Sequence, residues 1–145
     1  MLLLRKIVVV AIAVAGLGCH DVAGPTLPAT FILDTINGRQ LPTPLVFFPE
    51  SPVITSGSLQ LEPDGTAVMV EDRDVMIAPG HVTNTTNYTY TIRDNVIEFH
   101  LDCPPTAFCS APPIGVFRDS HLFLQFNGDG GSIVYDYELA PRIEN

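Results

Sequence analysis

Apolar and polar residues alternate with a period of two along most of the stretches that lie between turn signals in this chain. Residues 87–93 set Tyr88, Tyr90 and Ile92 against Thr89, Thr91 and Arg93. Residues 96–101 set Ile97, Phe99 and Leu101 against Glu98 and His100, and residues 121–126 put Leu122, Leu124 and Phe126 on one face. Residues 133–139 alternate Ile133, Tyr135, Tyr137 and Leu139 with Val134, Asp136 and Glu138. A period of two is strand geometry, because successive side chains of a strand point to opposite faces. No segment of the domain carries a convincing helical period, so the fold class is all-β.

Turn chemistry separates these runs. Residues 30–36 end at Asn37-Gly38, a strong hairpin signal. Four prolines punctuate residues 42–52, and only residues 45–48 among them read as a strand, at an edge. Residues 58–62 and 66–71 flank the turn Pro63-Asp64-Gly65, and alternation groups Leu59, Leu61, Val68 and Val70 on one face. Asp94-Asn95, Asp119-Ser120 and residues 127–131 turn the chain again, and residues 114–117 pair with 121–126. Eight or nine short antiparallel strands in sequence order predict an up-and-down barrel, since closure removes exposed edges. A β-sandwich is the alternative. A barrel of about eight strands is either filled by its own side chains or holds one small ligand.

The N-terminus differs from this domain. Arg5 and Lys6 precede an unbroken apolar run over residues 7–15, then Gly16, Leu17, Gly18 and Cys19. The charge–apolar–small layout is that of an export signal, and the run is shorter than the ~20 residues a spanning helix needs. A cysteine closing the small-residue stretch resembles the bacterial lipobox, with Gly16 and Leu17 in swapped order. The resemblance implies cleavage of residues 1–18 and lipidation of Cys19, and so a partnership with the membrane through a lipid anchor. Asp21, one place beyond the position that favours inner-membrane retention, points to the periplasmic face of the outer membrane. Residues 19–29 then form a flexible Pro- and Gly-containing tether, and residues 30–145 the domain.

Export removes both N-terminal cations. Five arginines (Arg39, Arg73, Arg93, Arg118 and Arg142) then face 16 acidic residues, more acidic than the whole chain's net −9. Such a surface repels polyanions, so nucleic acid is not a partner. With Cys19 lipidated, Cys103 and Cys109 remain as a pair. An oxidising compartment favours a structural disulfide between them, worth roughly 2–3 kcal/mol for so short a loop. Their spacing lacks the C-x-x-C form of redox motifs.

The strand order is similar to that of small bacterial lipoproteins with lipocalin-like β-barrels. Phe31, Leu33, Ile36, Asn37, Gly38, Leu41 and Pro42 match their opening strand and turn. Leu59, Leu61, Asp64, Gly65 and Thr66 match a following hairpin, and a Tyr-rich strand closes the pattern. The resemblance implies a barrel over residues 30–139 and carries no catalytic residue.

Chemistry-bearing residues are sparse in pattern. His20, His81, His100 and His121 form no zinc spacing, and His100 and His121 meet only if their strands pair. Glu71, Asp72 and Asp74, with Arg73 among them, read as a solvated turn rather than a calcium loop. No nucleophile motif occurs, Ser120-His121 diverge on a strand, and no cofactor is implied. Asn84 to Thr86 reads as a polar β-edge or loop. The expected function is therefore a non-enzymatic envelope lipoprotein binding a small apolar ligand or a partner protein. Tyr88, Tyr90, Phe99, Tyr135 and Tyr137 are the candidate ligand-lining residues. The alternatives are a hydrolase or isomerase using a carboxylate in the barrel mouth, and a purely structural envelope protein.

Overall fold

Asn37 and Gly38 both adopt positive φ, 50° and 72°, as do Asp119 and Ser120 at 52° and 68°. Paired positive φ values make the mirror-image turns whose twist matches that of the strands they join. The first turn joins β1 (Ala29–Ile36) to the two-residue β2 (Arg39–Gln40). The second joins β8 (Ile114–Arg118) to β9 (His121–Gly128). Between them run the short β3 (Thr43–Pro44), β4 (Val53–Leu61), β5 (Thr66–Val75), β6 (Gly80–Arg93) and β7 (Val96–His100), and β10 (Gly131–Leu139) ends the series. The structure, a computed structural model, describes residues 24–45, 51–75, 80–104, 111–128 and 131–141. The expected signal peptide, Cys19, Cys109 and most of the strand expected at 45–48 lie outside the described residues.

Neighbours in the sheet follow chain order from β4 to β10, all antiparallel. β1 then pairs with β10 on one side and with β4 on the other. This double pairing closes eight strands into an up-and-down barrel, and rules out a sandwich. β2 and β3 are the two extra strands, attached at the rim.

Which side chains point inward depends on three details of register. Glu62 N donates to Thr66 O at 2.9 Å and Gly65 N to Glu62 O at 3.2 Å, with Gly65 at φ 86°. Residue 62 thus faces 66 across a three-residue turn, and Leu59 faces Met69 and Leu61 faces Ala67. Ala67 and Met69 therefore share the core face with Leu59 and Leu61, and Val68 and Val70 lie on the outer face. This corrects the grouping expected from alternation, since one residue of turn length flips a whole strand. Register also slips in β1 between Leu33 and Thr35, and in β4 between Ile54 and Ser56. The two slips reset the alternation, so Ile36 and Ile54 are buried with Phe31, Leu33, Leu59 and Leu61.

The core fills the end of the barrel that carries the 62–65, 94–95 and 119–120 turns. Phe31, Leu61, Ile97, Leu122 and Tyr137 are fully buried there. Phe31 meets Phe117 edge-on at 6.0 Å. Tyr90 donates to the Glu62 carbonyl at 2.5 Å, which ties a core ring to a turn. The chain before β1 covers this end: Pro25 is buried and Leu27 packs on the core. Residues 24–28 thus lie against the barrel, where the sequence suggested only a tether. Two inward-facing glycines are set by close packing. A Cβ on Gly57 would lie 2.9 Å from Leu33 Cδ2, and one on Gly115 would lie 3.0 Å from both Leu122 and Leu124.

Candidate binding cavity at the barrel mouth

Among the described residues, the opposite end is open. A cavity of about 580 Å³ enters the barrel between the start of β10 and the facing strands β5 and β6. Its apolar wall includes Leu45, Met69, Leu101, Phe126 and Ile133. Phe126 packs on Tyr135 with ring centroids 4.9 Å apart. Among the described residues, the charged groups lining it are Glu71 and Arg73.

Both come from β5 by simple continuation of its inward positions, Ala67, Met69, Glu71 and Arg73. Glu71 is only 2% exposed, and its Oε2 accepts from Arg73 Nη2 at 2.5 Å. The segment expected to be a solvated turn is thus strand, with one carboxylate inside the barrel. It is strand because the polar run Gly80 to Asn87 of β6 pairs along it, from Val75 opposite Gly80 to Val68 opposite Asn87. Asn84 to Thr86, read as a polar edge or loop, belongs to that ladder. Asn84 and Thr86 face the cavity.

The tyrosines surround this pair at different depths. Tyr88 and Tyr135 line the cavity. Tyr135 hydrogen-bonds Glu71, and burial followed by the charge of Glu71 raises its hydroxyl well above the usual tyrosine range. Tyr88 is raised by the same two causes. Tyr137 lies deeper, fully buried, and is likewise raised by burial first and Glu71 second. Phe99 sits in the wall of the core, edge-on to Tyr88 at 5.6 Å, and Tyr90 reaches the closed end. The five candidate lining residues therefore divide: two border the cavity and three belong to the core behind it. Two buried polar atoms find no partner among the described residues, Arg73 Nε and the Tyr137 hydroxyl.

The outer face of the β5–β6 ribbon carries its own polar cluster. Ser56 and Thr83 each donate to Asp72 at 2.6 Å, and these bonds lower its carboxyl below the usual range. His81 contacts Asp74 at 3.1 Å, which raises its imidazole. His121 contacts Asp136 across β9 and β10 at 2.8 Å. His100 is on β7, separated from His121 by β8, so the two are not cross-strand neighbours. Among the described residues, no three His, Cys, Asp or Glu side chains gather as metal ligands. Cys103 is exposed just beyond β7, on the mouth side.

Glu71 Oε2 is engaged by the Arg73 guanidinium, an arrangement that neutralises charge and fixes rotamers. The Glu71–Arg73 pair is hidden in the sequence because Val68 and Val70 give β5 its stronger apolar alternation. The odd-length turn at Pro63-Asp64-Gly65 was the signal that could have phased it on Ala67 and Met69. Comparison of the chain with known protein families, with curated proteins and with solved structures finds no match in any of the three.

Proposed function

We propose that this protein is a non-enzymatic lipoprotein of the cell envelope, anchored through lipid on Cys19, whose barrel binds a small and chiefly apolar molecule. The observation that carries the binding half is the cavity of about 580 Å³ which, among the described residues, opens at one end of the barrel. Its volume falls within the ~300–1,000 Å³ of small-molecule sites, and its wall is mostly apolar with a few polar groups. The anchoring half rests on the N-terminal layout, with the periplasmic face of the outer membrane as the location. A Cys103–Cys109 disulfide, on the mouth side of β7, belongs to the same reading. Packing of residues 24–28 against the closed end supports it too. Residues 19–23 would then join lipid to barrel, spanning at most ~18 Å. The mouth would face away from the bilayer and stay open to its ligand.

Two measurements test the halves separately. Radiolabelled palmitate should enter the intact protein and not Cys19→Ala, which should leave the membrane fraction. An unlabelled wild-type protein, with Cys19→Ala still membrane-bound, would sink the anchor. For binding, NMR titration with small apolar compounds should shift resonances of Met69, Phe126 and Ile133 and leave those of Phe31 and Ile97 in place. Shifts absent from the mouth would defeat the ligand reading.

A further inference from the structure

Glu71 and Arg73 cancel each other inside the barrel. Among the described residues no other charged side chain lines the cavity. A carboxylate or an ammonium group on a ligand would add a third charge to that balanced pair. It would sit beside a carboxylate that is only 2% exposed, where an unbalanced charge is costly. A neutral ligand avoids this cost.

The pair also specifies a polar handle. Arg73 spends an N–H of its guanidinium fork on Glu71 Oε2, at 2.5 Å. Its Nε–H is buried and meets no acceptor among the described residues. The fully buried Tyr137 hydroxyl, deeper in the barrel, also lacks a partner there. A buried donor without an acceptor is destabilising, so a group that supplies one gains more than an ordinary hydrogen bond. Arg73 Nε can only donate, and of the two it alone belongs to a residue that lines the cavity. What suits it is an oxygen acceptor, not a further donor.

We propose that the cavity takes a neutral, mainly apolar molecule bearing an acceptor oxygen, an ester or ketone in chemical class, whose oxygen accepts from the Arg73 guanidinium. This rests on the ligand-binding reading above and narrows it. Leu45, Met69, Leu101, Phe126 and Ile133 contact the hydrocarbon body, and the oxygen faces the β5 wall.

Four probes of similar length separate the terms: methyl nonanoate, decanoate, decylammonium and decane. Each is titrated into the purified protein and followed by NMR. Methyl nonanoate should bind at least about tenfold more tightly than either charged probe, and several-fold more tightly than decane. Tightest binding by decanoate or by decylammonium would overturn the neutral-ligand inference. Equal binding of ester and decane would overturn the donor role of Arg73. Neither result touches the broader reading, which fails only if none of the four binds. Glu71→Gln supplies an independent check, because it leaves the guanidinium uncompensated. In that variant decanoate should gain about tenfold relative to the ester. An unchanged ratio in a variant whose amide spectrum remains folded would refute the charge-balance argument.

Discussion

The two ends of this barrel are built from the same strands by the same alternation, and they end in opposite states. At the closed end the inward positions are Phe31, Leu61, Ile97 and Leu122, all fully buried. The chain segment 24–28 lies across them. At the mouth the inward positions include Glu71, Arg73, Asn84 and Thr86; Ile36 and Ile54 are buried at that level, while Phe126 and Ile133 are only half-buried. The difference teaches that a barrel wall does not by itself decide between a core and a cavity. The choice lies in which residue types take the inward positions at each level.

The strongest way to break this comparison is to truncate one large ring at each end. Phe31→Ala should cost ~3–5 kcal/mol in chemical denaturation, the range for a fully buried aromatic. Phe126→Ala should cost roughly 1 kcal/mol, because the apolar area it withdraws from water is smaller. Equal losses would mean the mouth is as well packed as the closed end.

Next in size is the packing between the ends. Gly115 sits where a Cβ would press on Leu122, Leu124 and Phe99. Gly115→Val should destabilise by about 1–3 kcal/mol through overpacking. A neutral effect on the denaturation midpoint would show that the wall yields there.

The ion pair at the mouth should matter less to stability than to ligand choice. Glu71→Gln keeps shape and removes charge. With Arg73 able to reach water, the expected loss is about 1–2 kcal/mol. A loss as large as that of Phe31→Ala would place Glu71 among the groups that hold the fold together.

The smallest effect is electrostatic and lies on the outer surface. The bond to Asp136 raises His121 above its ordinary value of 6.5. A raised folded-state value means the stabilisation is fully present below the unfolded value, and is lost as pH climbs through the folded one. The thermal midpoint should therefore decline slightly as pH rises past about 6.5. Asp136→Asn should flatten that slope, and an undiminished slope would assign it to other groups, His81 among them.

Most of the fold was legible because the alternation in β6, β7, β9 and β10 is regular and the turn dipeptides are specific. Tyr88, Tyr90, Ile97, Leu122 and Tyr137 all face inward as the period requires. What escaped was parity. The turn after Leu61 and the slips in β1 and β4 each change which residues point inward, and none of the three shows as a change in composition. The site suffered most from this. Its two charged residues sit on β5, where Val68 and Val70 offer a stronger apolar signal than Ala67 and Met69. The polar half of β6 was hidden for a related reason. Gly80 to Asn87 has few apolar residues, and it is strand because β5 pairs with it along its whole length.

Closure also has a kinetic side. β1 is held between β10 and β4, so the first long strand made finds its last partner only when the final strand arrives. Contacts so distant along the chain demand loop-closure entropy before they return any stabilisation, which slows folding. For a chain delivered from its N-terminus, β1 must wait with one edge unpaired while every other strand is added. Its apolar residues, Phe31 and Leu33 foremost, would spend that interval exposed to a chaperone or to aggregation.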